Sequence, residues 1–117
     1  MVETEECIFC KVAGGKLPAY ILYKDEHVLA FHDINPQAPV HVLVVPIRHI
    51  TDLEAARDQD PEIVGRMVAA AARIAGDLHI AKNGYRLVLN NGAAAGQIVP
   101  HLHLHMLSGR KFGWPPG

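Results

Sequence analysis

His101-Leu102-His103-Leu104-His105-Met106-Leu107 lies near the end of this 117-residue chain, with a histidine at every second position and apolar residues between. Extended backbone sends successive side chains to opposite faces. A strand over residues 101–108 therefore presents His101, His103 and His105 on one face and Leu102, Leu104 and Met106 on the other. On a helix, positions i, i+2 and i+4 scatter around the circumference and neither set would be coherent. The stretch calls for a sheet with one side packed and the other carrying chemistry.

The remaining sequence supplies that sheet. Val40–Pro46 is rich in β-branched residues and nearly continuous in apolar character, so it reads as a central strand covered on both faces and ended by Pro46. His41 sits inside this run, where a buried imidazole needs partners. Residues 20–23 and 28–31, joined by the polar turn Lys24-Asp25-Glu26, read as an antiparallel hairpin with His27 solvated at its turn. Asn83-Gly84 turns the chain into a fourth strand, residues 85–90, and residues 101–108 form the fifth.

Three helices are expected. Residues 11–19 begin a short one that breaks at Gly14-Gly15. Thr51-Asp52-Leu53-Glu54 matches a capping box with Thr51 as N-cap. Asp60-Pro61-Glu62 opens the one long helix, residues 62–78, in which Ile63, Met67, Ala71, Ile74 and Leu78 recur at helical spacing. The order predicts an α+β fold, a five-stranded antiparallel sheet with the long helix on one face and the histidines on the other.

Composition bounds the function. The chain length fits one domain, residues 1–117, with 109–117 as a Gly- and Pro-rich tail. That tail carries the only tryptophan, Trp114, which either hangs in solvent or docks on a surface such as a partner subunit. A formal net charge of −1 argues against a nucleic-acid or membrane surface. No apolar run approaches the ~18 residues needed to cross a bilayer. The acidic residues 1–6 do not read as a signal peptide, and a cytoplasmic setting is expected. There a disulfide between Cys7 and Cys10 is not anticipated.

Several groups invite chemistry. Cys7-Ile8-Phe9-Cys10 is half of a zinc site, a redox dithiol, or a pair of partly buried thiols. The redox role wants the pair at a helix N-terminus in a βαβ unit, which the pattern does not provide. Tetrahedral zinc wants two further ligands, which histidines can supply. Asp33, at a strand end before Asn35-Pro36, reads equally as an acceptor for ribose hydroxyls or as an Asx turn. The small-residue loop 91–97 offers backbone N–H groups to an anion, or is a plain connection.

The histidine row admits three chemistries. As ligands of one metal, the three span about 13 Å of strand, with same-face neighbours about 7 Å apart, so the outer pair cannot easily share an ion. As a covalent catalyst, the middle residue His103 attacks phosphorus, because a pKa of about 6.5 leaves imidazole largely unprotonated at neutrality. As a structural element, the imidazoles bond to backbone.

His-x-His-x-His followed by two apolar residues is the motif of the histidine triad (HIT) family. Cys7-Ile8-Phe9-Cys10, residues 31–41, Asn90, Gly96-Gln97 and the ending Trp114-Pro115-Pro116-Gly117 resemble its Hint branch of nucleoside phosphoramidases over nearly the whole chain. The resemblance implies hydrolysis of purine nucleoside 5′-phosphoramidates to the monophosphate and an amine. His103 would be the nucleophile. His105 would contact phosphate and help protonate the leaving amine, and His41 would relay protons behind them. Asn90, Gln97 and the Val99 backbone N–H would meet the phosphate, and Asp33 the ribose. Ile8, Phe9, Phe31, Ile34 and Leu43 would line the base pocket.

Zinc-containing relatives use residues that match Cys7, Cys10, His49 and His101, a closed structural set with no catalytic metal. A homodimer is implied, its continuous ten-stranded sheet joined through the long helix and neighbouring strand, with Trp114 reaching towards the partner's site. The chain departs from the branch at Ile98, where a hydroxyl residue is common, and at Pro100, which removes a donor just before the triad. Ile98 favours a rival reading as a nucleotide-binding or scaffolding module with little turnover. A dinucleoside polyphosphate hydrolase is disfavoured by the WPPG ending.

Overall fold

The computed structural model describes residues 7–117. Along the chain come α1 (Ile8–Ala13), β1 (Ile21–Lys24), β2 (Val28–His32), β3 (Val40–Pro46), α2 (Leu53–Gln59), α3 (Ile63–Asp77), β4 (Arg86–Val88) and β5 (Leu104–Ser108), with a 3₁₀ turn at Ala93–Ala95. The strands form one antiparallel sheet in the order β1-β2-β3-β5-β4. β3 lies at its centre with Val42 to Pro46 buried, as the unbroken apolar run requires.

Alternation along the strands divides two cores. Val28, Ala30, Val42, Val44, Leu102, Leu104 and Met106 face α3, meeting Ile63, Met67, Ala71 and Ile74. Leu29, Phe31, Leu43 and Val45 face the other way, under Phe9, Cys10 and Val12 of α1. Leu102 and Met106 are fully buried, and truncating such a side chain to alanine costs about 2–5 kcal/mol. The row beneath the histidines is thus their anchor. The opposite layer, built by α1, covers one end of the histidine face.

Local detail departs from the sequence expectations for identifiable reasons. The first helix starts at Ile8 rather than residue 11, because the Cys7 sulfur caps it by accepting the Cys10 N–H at 3.4 Å. The N-cap of α2 is Asp52, not Thr51: Asp52 Oδ1 accepts the Ala55 N–H at 2.9 Å, while Glu54 turns outward to accept from Asn91. Asp60 closes α2 instead of opening the long helix, which begins at Ile63. α3 ends in a Schellman motif, Ile80 N–H to Ala75 O and His79 N–H to Gly76 O, which places His79 at φ 59°. β4 ends at Val88, so Asn90 lies beyond it, and β5 begins only at Leu104. Pro100 has no N–H to give a ladder, and His101 and His103 precede the paired segment.

Candidate active site

His101 and His103 keep the alternation of extended chain although no ladder pairs them. Leu102 donates its N–H to Ile50 O at 2.7 Å and is fully buried, which fixes the segment between them. His103 and His41 each have a tautomer set by a backbone partner that can only accept or only donate, and His41 in turn sets that of His105. His103 Nδ1 lies 2.8 Å from His101 O. A carbonyl only accepts, so Nδ1 carries the hydrogen and Nε2 keeps its lone pair.

His41 accepts the Gln37 N–H at Nδ1, at 3.0 Å. A backbone amide only donates, so the His41 hydrogen sits on Nε2. That nitrogen is 2.9 Å from His105 Nδ1 and 3.4 Å from Asp33 Oδ2. His41 therefore donates to His105, which leaves the His105 hydrogen on Nε2. Asp33, His41 and His105 lie close enough to share a metal ion, but with hydrogen on His41 Nε2 they form a proton chain instead. The rings of His103 and His105 are 5.0 Å apart. Burial pushes the His105 pKa down to about 4, helped by the neighbouring His103 and His41 and opposed by Asp33. Burial also lowers that of His41, again against Asp33. Both imidazoles are neutral at physiological pH.

The first triad histidine belongs to a different cluster. His101 Nε2 donates to Pro46 O at 2.8 Å, and its Nδ1 lone pair faces Cys7 Sγ at 3.2 Å and Cys10 Sγ at 3.5 Å. His49 Nδ1 lies 3.2 Å from Cys10 Sγ. These four ligand atoms all fall within 4.8 Å of one another. Two sulfurs, two imidazoles and a backbone carbonyl orienting one of them are the donor set and outer shell of a structural metal site, and the cluster can hold a metal ion. Burial, above all, holds the His101 pKa at about 4, so its nitrogen is available as a ligand well below neutrality.

A cleft of about 630 Å³ opens beside His103 and His105, which line it. α1 contributes Ile8, Phe9 and Val12, the sheet contributes Phe31 and Leu43, and Asp33, Ile34, Asn90, Gly96, Ile98 and Val99 complete the rim. Phe9 packs edge-on to His103 with ring centroids 5.1 Å apart. Ile34 and Ile98 stand 91% and 90% exposed at the mouth, apolar surfaces that a ligand would cover. Leu17, Pro18 and Ala19 also line the cleft. Sequence reasoning missed these three, which reach it only through the turn after α1, and Val12, which lies on the α1 turn after Ile8 and Phe9. Asp33 takes the Asx-turn bond, Oδ1 accepting Asn35 N–H at 2.9 Å, and still faces the cleft.

One expected residue falls elsewhere. Gln97 does not line the cleft; it accepts from Gly92 N–H and donates to Thr51 O and Val99 O, bracing the loop. The loop's Ala95, Gly96 and Gln97 N–H groups bond to Gly92 O and Ala93 O, so of the two readings open from sequence these three amides fit the plain connection. Trp114 is 86% exposed and outside the cleft of its own chain.

A family model for the HIT domain matches residues 15–112. The chain belongs to the HIT domain family. Its fold is similar to that of a HIT family hydrolase from Legionella pneumophila Philadelphia 1, at 43% identity and a TM-score of 0.90, covering 96% of this chain and 100% of that one. A Zn-bound histidine triad family protein from Mycobacterium smegmatis is 38% identical with a TM-score of 0.78, covering 91% and 76%. A histidine triad nucleotide-binding protein from Candida albicans is 30% identical with a TM-score of 0.81, covering 94% and 83%. Among the described residues no helix of this HIT chain is long and apolar enough to cross a membrane.

Proposed function

We propose that the chain hydrolyses purine nucleoside 5′-phosphoramidates to the nucleoside monophosphate and an amine through a nucleotidyl-histidine. The observation that carries this reading is the His103 tautomer: Nδ1–H is committed to the His101 carbonyl, which leaves the Nε2 lone pair on a side chain that lines the cleft. Membership in the HIT family, and likeness to a relative named a hydrolase and another named nucleotide-binding, supports the substrate class.

The steps follow from the protonation states. His103 Nε2 attacks phosphorus, the N–P bond to histidine forms, and the bond to the leaving amine breaks. His105 donates a hydrogen bond from Nε2–H to the phosphate or the departing nitrogen while its Nδ1 accepts from His41 Nε2–H; the departing amine takes up a proton from solvent, and the water that later hydrolyses the adduct gives one back. Water then hydrolyses the adduct, releasing the monophosphate and restoring His103. Asn90 binds a phosphate oxygen and Asp33 the ribose hydroxyls. Ile8, Phe9, Phe31, Ile34 and Leu43 enclose the base, and Val99 offers its backbone N–H at the phosphate.

The same reading assigns zinc to Cys7, Cys10, His49 and His101, with the likeness to a Zn-bound relative in support. Four protein ligands close a tetrahedral sphere, so the ion would supply cross-linking and no Lewis acid for the reaction. The reduced thiols fit a cytoplasmic setting. Two copies would pair through α3, where Val68 is 41% exposed, and the edge strand β4, extending the sheet to ten strands and bringing Trp114 to the partner's cleft. Sedimentation at micromolar concentration tests that assembly.

Incubation with adenosine 5′-phosphoramidate, followed by chromatography, tests the activity: AMP and amine appear together. AMP binding without turnover would favour the second reading, a nucleotide-binding module. Ile98 supports that alternative, since it offers no hydroxyl at the cleft mouth.

A further inference from the structure

Residues 33–41 carry Asp33 and His41 and are held from outside by the segment that leaves β5. Gly109, at φ 96°, lies so close to Pro39 that an added Cβ would stand 2.8 Å from the proline Cβ. Arg110 Nε donates to Gln37 O at 3.0 Å. Its guanidinium lies over the Phe112 ring, 4.3 Å from the centroid, and Arg86 of β4 covers the same ring at 5.2 Å. Arg86 also donates to Gly113 O at 3.0 Å. The tail is thereby tied to β4, and through Arg110 to Gln37.

Gln37 matters because its own N–H sets the His41 tautomer. Its carbonyl is gripped on one side by Arg110 and its amide hydrogen points at His41 Nδ1 on the other. We propose that Arg110 is a positioning residue, which acts through Gln37 to keep hydrogen on His41 Nε2 and so keeps the His41-to-His105 bond directed towards His105. Without that grip, Gln37 can turn its N–H away from the ring. The Nδ1-protonated tautomer of His41 then gains population against the pull of the Asp33 carboxylate, 3.4 Å from Nε2, and that form has no hydrogen to give His105. Arg110 holds the Gln37–Ala38 peptide and the N–H that meets His41 belongs to the Pro36–Gln37 peptide, so its effect runs across the Gln37 Cα, through the backbone angles of that residue.

Long-range 1H–15N spectra of the histidine rings, recorded near neutral pH on the full chain without substrate, read the tautomer. Arg110→Met keeps length and contact with Phe112 but has no donor; its His41 nitrogens are expected to move from the pure Nε2–H pattern towards the average of both tautomers. Arg110→Lys keeps a donor and is expected to hold most of the wild-type pattern. A wild-type pattern in Arg110→Met, or an Arg110→Lys spectrum no better than that of Arg110→Met, overturns the proposal. On the hydrolase reading, on which the catalytic consequence rests, Arg110→Met lowers kcat roughly tenfold with KM unchanged, the size of one lost charge-assisted hydrogen bond. Absence of turnover in every form, wild type included, would count against the hydrolase reading and leave the ring-nitrogen result standing by itself.

Discussion

Substituting His105 with asparagine should change how stability depends on pH, by an amount the structure sets. Asparagine Oδ1 can still accept from His41 Nε2, so His105→Asn removes a titrating group while retaining the partner of His41. In the folded protein the His105 pKa is about 4, against an ordinary value of 6.5, chiefly because of burial. The folded pKa lies below the unfolded one, so the unfolded chain binds more protons between these values. The stability tied to neutral His105 is therefore present above pH 6.5 and is lost as the pH falls towards 4.

At about 1.36 kcal/mol per pH unit the full difference amounts to about 3 kcal/mol. His105 is only half-buried, and solvent screening reduces this to roughly 1–2 kcal/mol. Urea unfolding of both proteins from neutrality down to about pH 4.5 measures the effect. The stability of wild type relative to His105→Asn should fall by that amount across the range. A difference that stays constant with pH would refute the assignment of a strongly depressed pKa to this imidazole.

Three further outcomes follow from particular contacts. Gly109→Ala should destabilise the protein by about 2 kcal/mol or more, since it combines a left-handed φ of 96° with a Cβ placed 2.8 Å from Pro39; thermal unfolding measures it. His79→Gly should stabilise it by about 0.5–1 kcal/mol, because His79 holds the left-handed position of a Schellman motif, and denaturant titration reads the gain. Protein purified without added metal should carry about one zinc per chain by elemental analysis, and Cys10→Ser should lose the metal and lower Tm; metal-free wild-type protein with reactive Cys7 and Cys10 would sink the ligand set.

How much of this was legible in the sequence depends on how local each cause is. The span Val40–Pro46 could be read to the residue because β-branched composition and a terminal proline are local signals. The inward and outward sides of residues 101–106 followed from alternation, which extended chain obeys with or without a ladder. The start of α1 was not legible: a cysteine sulfur acts as its N-cap, which no ordinary capping preference anticipates. Thr51 and Asp52 are adjacent good caps, and the choice between them was made by tertiary contacts of Glu54 with Asn91.

Within the site, the types of group were legible from the residues themselves, whereas the grouping of Cys7, Cys10, His49 and His101 and the place of His41 behind the triad came only through the family resemblance. The spacing of the histidines gave no hint that His101 faces Cys7 and Cys10 while His103 uses the carbonyl of that same residue. Leu17, Pro18 and Ala19 line the cleft by chain reversal, and Gln97 is drawn off by its bonds to Gly92 and Thr51. Such placements depend on partners distant in sequence.

The central claim is that His103 Nε2 forms a covalent bond to phosphorus. Rapid acid quench of the protein with adenosine 5′-phosphoramidate, followed by intact mass and peptide mapping, measures this directly. A gain of one adenylyl group is expected, mapped to His103 and absent from His103→Ala, which should show no turnover. An adduct on another residue, or His103→Ala turning over at the wild-type rate, would contradict it.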